Sequence, residues 1–208
     1  MRQRRLLEYG VFGIAAISFI LFVGWWRVDG PGAPEPSDRR PLDFPAMEFR
    51  LTDHAGNAVG PEVLTGRATM VFFGFTFCPD VCPTTLSDIS SWLEMMGEDS
   101  DQLNVIFITV DPERDTVDAM AEYVGYFDAN IRGWTGTNEQ IAVAADMFRV
   151  TYEKVPTDGE DYTMNHTASV FLFKADGQFS GAIDYHETRE TAVPKIRRAM
   201  TEKEEVPQ

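Results

Sequence analysis

The only two cysteines of the chain stand four residues apart, in Phe77-Cys78-Pro79-Asp80-Val81-Cys82-Pro83, directly after the apolar run Thr69-Met70-Val71-Phe72-Phe73-Gly74-Phe75. A run of that length and composition reads as a buried strand, and Pro83 suits the first turn of a helix. Both sulfurs therefore fall at a strand-to-helix junction. The unpaired N–H groups of a helix start carry partial positive charge, which favours thiolate over thiol. Thiolates are the nucleophiles of disulfide chemistry and the preferred ligands of soft metals. The pair points to thiol redox or to soft-metal handling.

The pattern around this junction predicts an α/β domain. A helix is expected after the strand, with Leu86, Ile89, Trp92, Leu93 and Met96 on one face, and then a second buried strand over 103–110 (LNVIFITV). Thr116 can cap a helix over 117–127, and Thr137-Asn138-Glu139-Gln140 fits a capping box before another. Residues 49–59 read as a hairpin turning at Asp53-His54-Ala55-Gly56-Asn57. A second hairpin is expected over 168–184, turning at Ala175-Asp176-Gly177, and a last helix over 188–200. Apolar strands alternating with helices describe a mixed central sheet flanked by helices. A dithiol that closes the first such strand and opens a helix is the arrangement of the thioredoxin-like fold.

At 208 residues there is room for one sizeable domain with appendages. Arg2, Arg4 and Arg5 precede an uncharged, mostly apolar stretch at 9–26. As a helix those 18 residues would span ~27 Å, close to the ~30 Å of a bilayer's hydrocarbon interior. The expected organisation is a basic cytoplasmic N-terminus at 1–8, a transmembrane signal-anchor helix at 9–26 and a Pro/Gly-rich linker at 27–44. A folded domain at 45–200 and a flexible tail at 201–208 follow. Positive charge before the span predicts, for a bacterial chain, a single-pass protein of the inner (cytoplasmic) membrane with its domain in the periplasm. A mitochondrial protein facing the intermembrane space is equivalent, and a cleaved signal peptide is the alternative to an anchor. The periplasm is oxidising, so a close cysteine pair there ends as a disulfide unless something reduces it. Residues 1–40 hold six Arg against four acidic side chains, leaving 12 basic and 29 acidic beyond them. A balance of that sign argues against nucleic acid as a partner.

Two cysteines alone do not make a metal site. Of the three histidines, His54 reads as turn chemistry and His186 as a surface residue or a cap of the last helix. His166 stands immediately before the strand expected at 168–174, where thioredoxin-like proteins bring a loop, ordinarily carrying a proline, against the dithiol. Met164 reads as a core or loop residue rather than a ligand, and Phe72, Phe73, Phe75 and Phe77 as core and site walls.

Three segments carry a resemblance to a known family. They are Phe73-Gly74-Phe75-Thr76-Phe77-Cys78-Pro79-Asp80-Val81-Cys82-Pro83, then Asp111-Pro112-Glu113-Arg114-Asp115-Thr116, then Tyr162 with His166-Thr167 ahead of a strand and Asp176-Gly177. In this order over nearly all of 44–200, the chain resembles the Sco/SenC family of membrane-anchored, thioredoxin-like copper proteins involved in assembling the copper A centre of cytochrome c oxidase. The resemblance implies that Cys78, Cys82 and His166 bind one copper ion. Cu(I) prefers thiolate, tolerates imidazole and accepts three ligands, whereas zinc generally takes a fourth. Asp111 and Asp115 have two readings, as helix capping with charge compensation for Arg114 or as a surround that orients His166 or supports Cu(II).

The expected role is a metallochaperone rather than an enzyme, delivering copper to oxidase subunit II. Implied partners are a thioredoxin-like thiol reductant and another copper chaperone as donor. The alternative is a thiol–disulfide reductase or redox sensor in which Cys78 and Cys82 are the redox-active pair. A peroxidase is disfavoured because Thr76 stands only two residues before Cys78, so the Thr-x-x-Cys arrangement is missing.

Overall fold

In the computed structural model residues 13, 17–26, 42–157, 159 and 161–201 are described. The chain divides into two units, Met1–Arg40 and Pro41–Gln208. In the first unit residues 17–26 are helical. Among the described residues no helix is long and apolar enough to cross a membrane. The basic segment at 1–8, much of the expected span at 9–26, most of the linker and residues 202–208 lie outside the described residues.

The second unit opens with strands β1 (Leu51–Asp53) and β2 (Ala58–Val59), the expected hairpin. Asp53 Oδ1 closes its turn by accepting from the N–H groups of Ala55 and Asn57, at 2.9 and 2.8 Å. Then come β3 (Ala68–Gly74), α1 (Val81–Met96), β4 (Leu103–Thr109) and α2 (Val117–Val124). They are followed by β5 (Ile131–Thr135), α3 (Asn138–Met147), β6 (Tyr152–Pro156) and β7 (Tyr162–His166). The chain closes with β8 (Val170–Phe173), β9 (Phe179–Ile183) and α4 (Arg189–Thr201). Both expected caps form: Thr116 Oγ1 accepts from Ala119 N, and Thr137 and Gln140 make the reciprocal capping box.

Seven strands make one sheet in the order β2-β1-β5-β4-β3-β8-β9, while β6 and β7 pair only with each other. Strands β3, β4 and β5 are parallel, and the outer pairings are antiparallel. Every residue of β3 and β4 is buried, as central parallel strands covered on both faces require. Side chains alternate along β3. Phe73 packs edge-on against Phe148 at 5.3 Å, within an aromatic layer that includes Phe44, Phe49, Phe171 and Phe173. Phe72 meets Phe107 at 5.9 Å. The register pairs Gly74 with Thr109, so the loops leaving β3 and β4 emerge side by side at one edge of the sheet. That edge carries the chemistry.

Four expectations need correction. The folded unit begins before residue 45: Asp43 bridges to Gln178, and the buried Phe44 ring stacks on Phe173 at 4.0 Å. Strand β5 was not expected, because Ile131-Arg132-Gly133-Trp134-Thr135 shows no continuous apolar run. Space at Gly133 is tight, since a Cβ would stand 3.0 Å from Met120 Cε and 3.1 Å from Val124 Cγ1 of α2. The β6–β7 ribbon was not expected either, because its residues are mostly half-buried or exposed and polar, and β6 shows no apolar alternation. Phe77 is not a core residue; its side chain is 63% exposed.

Candidate metal centre

Residues 75–80 form the loop between β3 and α1. Pro83 lies in the first turn of α1, where its missing N–H costs nothing. Cys82 is buried in that same turn and Cys78 is half-buried in the loop ahead of it. Cys78 Sγ accepts the backbone N–H of Cys82 at 3.3 Å, one of the donors a helix start leaves without an internal partner. Hydrogen bonding from the Cys82 side chain and from the backbone N–H groups of Cys82 and Asp80 pulls the Cys78 thiol down to about 4, against the opposing effect of burial. Cys82 is pushed upward, first by that shared hydrogen bond and then by burial.

Gly74 gives Cys82 its place. A Cβ at this position would lie 2.7 Å from Phe107 Cε2 and 2.8 Å from Cys82 Sγ. Gly74→Ala is therefore expected to destabilise by ~1–3 kcal/mol through overpacking. It should also displace the Cys82 sulfur, because the Phe107 ring is itself fully buried and has nowhere to yield. Urea unfolding checks the first effect and metal affinity the second. An alanine variant as stable as the parent would show that the close approach is not real.

His166 is the last residue of β7. Its ring packs edge-on against Phe75, at 5.9 Å and 89°, and against Phe72 at 6.3 Å. His166 Nδ1 lies 2.8 Å from the Thr167 carbonyl oxygen. A carbonyl only accepts, so Nδ1 carries the proton and Nε2 presents its lone pair. Nε2 faces Cys82 Sγ at 3.5 Å. A histidine whose second nitrogen is held by a carbonyl is oriented as metal-binding histidines are.

Among the described residues no three His, Cys, Asp or Glu side chains already form a closed metal-binding group. The donors nevertheless converge. An ion bonded to sulfur at ~2.3 Å and to nitrogen at ~2.0 Å in a trigonal plane separates those atoms by about 3.7 Å. The observed 3.5 Å is close to that, and the Cys78 sulfur stands 3.3 Å from the backbone N of Cys82. Two sulfurs and one imidazole nitrogen suit a soft ion.

The two aspartates act at one remove. Among the described residues neither hydrogen-bonds a cysteine or His166. Asp115, fully buried, accepts from Thr76 N at 3.1 Å, Thr76 Oγ1 at 2.6 Å and Thr109 Oγ1 at 2.6 Å. Burial pushes its carboxyl upward despite these donors. Asp111 accepts from the Tyr162 hydroxyl at 2.9 Å and pairs with Arg114. Asp115 fixes the residue two before Cys78, while Asp111 pairs with Arg114 and holds the start of the strand that ends at His166. Thr76 is a partner that sequence patterning did not single out, whereas the pairing of Asp111 with Arg114 is one of the two readings given for the Asp-Pro-Glu-Arg-Asp-Thr run.

The remaining candidates lie elsewhere. His54 Nδ1 accepts from Gly133 N at 3.0 Å and ties the β1–β2 turn to β5. His186 has a left-handed backbone, φ 68°, with its ring 3.8 Å from that of Tyr185. Met164 is buried on β7.

A family model described as SCO1/SenC matches residues 38–201. The mouse "Protein SCO2 homolog, mitochondrial" is 37% identical over 154 residues, covering 73% of this chain and 60% of its own length. The human protein of the same description is 35% identical over 156 residues, covering 74% and 59%. The chain thus spans about three-fifths of the length of these relatives. Among solved structures, that of Bradyrhizobium japonicum ScoI with copper bound is similar with a TM-score of 0.68 and 45% identity, covering 73% of this chain and 97% of that one. Yeast Sco1 with copper bound gives a TM-score of 0.67 at 33% identity, covering 72% and 84%.

Proposed function

This chain belongs to the SCO1/SenC family, and from that premise we propose that it is a copper metallochaperone. It binds one copper ion through Cys78, Cys82 and His166 and delivers it to the copper A site of cytochrome c oxidase subunit II during assembly. One observation carries this reading: His166 Nε2 faces Cys82 Sγ at 3.5 Å, and Cys78 Sγ accepts the Cys82 backbone N–H in the same helix start. Copper-bound relatives of similar fold support it. Three ligands leave Cu(I) open to an incoming fourth, so cargo can pass to a recipient without first dissociating into water. Cu(II), a harder ion, would be the secondary cargo.

The reading extends to the chain's surroundings. Residues 9–26 anchor it as a single span in the inner membrane, residues 1–8 stay cytoplasmic, and the domain works in the periplasm. A Cys78–Cys82 disulfide cannot offer two thiolates, so loading requires a thiol reductant of thioredoxin-like type upstream. Another copper chaperone supplies the ion.

A second reading has its own observation. Cys78 is half-buried, while Cys82 lies buried within reach behind it. In a reductase the Cys78 thiolate attacks a target disulfide and forms a mixed disulfide. Cys82 then displaces the target's second thiol, leaving the target reduced and Cys78–Cys82 oxidised until the reductant restores it.

Competitive Cu(I) titration of the reduced protein against a chromophoric chelator separates the two. Tight one-to-one binding is expected. His166→Ala should weaken it by more than ~100-fold, beyond the usual loss from a merely supporting residue. Loaded protein should then transfer copper to a subunit II fragment. Weak binding, or binding indifferent to His166, would transfer the function to dithiol reduction.

A further inference from the structure

The ribbon that carries His166 has no place in the main sheet. β6 and β7 pair only with each other, and an isolated two-stranded ribbon is marginal in water. Something outside it must hold His166 against the cysteines. The loop after β4 does so from one short segment, 111–115.

On the cysteine side, Asp115 holds Thr76 as described, and the Arg114 guanidinium carbon lies 4.7 Å from the ring centroid of Phe77, the residue before Cys78. On the histidine side the same carbon lies 3.8 Å from the ring centroid of Tyr162, the first residue of β7. Arg114 Nη1 donates to the Tyr162 carbonyl oxygen at 3.1 Å and to Asp161 Oδ1 at 3.3 Å. Asp111 orients both partners, accepting from the Tyr162 hydroxyl and pairing with Arg114 Nε. Glu113 adds a bond to Lys154 Nζ on β6 at 2.8 Å.

Arginine suits this post for a physical reason. Its planar, weakly hydrated guanidinium stacks on rings by its faces while its edge donates hydrogen bonds; a lysine ammonium cannot do both. The Arg114 side chain is 17% exposed, and Nη2 is buried without a hydrogen-bond partner among the described residues. The group is packed as a wedge, not displayed as a surface charge.

We propose that Arg114 is a positioning residue: stacked on both Phe77 and Tyr162, it registers the His166 ribbon against the cysteine loop and so preorganises the three donors. The affinity part of this proposal rests on the copper reading above; the registration does not.

The test uses the full chain. Arg114→Met keeps the apolar stem and removes the plane and its bonds, while Arg114→Lys keeps the charge. Amide hydrogen exchange is followed in the metal-free reduced protein, and Cu(I) affinity is measured with and without His166→Ala. In Arg114→Met, exchange over residues 162–166 should quicken about tenfold or more while β3 and β4 stay unchanged. Cu(I) affinity should fall about 10–100-fold when His166 is present and no further in the His166→Ala background. Arg114→Lys should restore neither.

Unchanged exchange in the ribbon overturns the proposal, as does an equal affinity loss in both backgrounds or full rescue by lysine. If the parent binds no Cu(I) tightly, or His166→Ala keeps full affinity, the copper reading fails and the exchange measurement still decides the registration. Should Arg114→Met not fold, Tyr162→Phe removes only the hydroxyl bond to Asp111. It must show the same pattern at smaller size, and its absence is equally fatal.

Discussion

Cys82→Ser is expected to abolish tight Cu(I) binding while leaving the fold in place. Cys82 is fully buried in the first turn of α1, with its sulfur between Cys78 and His166. A serine hydroxyl stays protonated near neutral pH and is a hard donor, so the ion loses its best-enclosed soft ligand. A loss of ~10³-fold or more is expected, equivalent to about 4 kcal/mol of binding energy. The structural cost is much smaller, because the hydroxyl can hydrogen-bond to His166 Nε2 in place of the thiol and fills nearly the same space. Cys78→Ser should lose affinity to a similar degree, with less effect on stability because Cys78 is half-exposed. The chelator competition measures the first quantity and urea unfolding the second. Affinity within tenfold of the parent in Cys82→Ser would remove Cys82 from the ligand set.

The second large effect belongs to a residue that touches no ligand. Asp115→Ala is expected to destabilise the domain by ~3 kcal/mol, since Thr76 N, Thr76 Oγ1 and Thr109 Oγ1 all lose their acceptor in a buried site. Thr76 would also be released two residues before Cys78, so metal affinity should fall together with stability. Asp115→Asn separates charge from shape, because its amide oxygen can still accept. Burial holds the Asp115 carboxyl above its ordinary value. The native state therefore binds the proton more tightly than the unfolded chain. As pH rises from the ordinary carboxylate value through the raised one, the parent loses stability at this group. The stability of Asp115→Asn relative to the parent should improve over that window and level off above it. Urea unfolding midpoints from acid to neutral pH measure this, and a relative stability that worsens with pH would mean the ionised form is favoured by the fold.

Legibility differed between the two arms of the site. The cysteine arm could be read from the chain because its signals are local. An apolar run of seven residues, a helix-compatible proline and two thiols in one short segment specify a strand, a turn and a helix start with little outside help. The caps at Thr116 and Thr137 were legible for the same reason, each being a bond between residues three apart. β5 escaped because Ile131-Arg132-Gly133-Trp134-Thr135 shows no continuous apolar run, its glycine lying in the tight space against Met120 and Val124 of α2. The β6–β7 ribbon escaped because its strands pair only with each other and are partly buried, with Met164 alone fully inside, so burial wrote too weak a pattern into them.

The buried central strands, the strand-to-helix dithiol and the preference for His166 over His54 and His186 were all readable before folding, because they rest on apolar runs, helix-start chemistry and short motifs of the fold. Folding alone fixes which nitrogen of His166 faces the sulfur, the room that Gly74 leaves for Cys82, and the bonds by which Asp111 and Asp115 reach Tyr162 and Thr76. Those are contacts between segments distant in the chain, such as the 51 residues separating Asp111 from Tyr162. Their geometry comes into being only when the parallel register of β3 and β4 brings the two loops to one edge of the sheet.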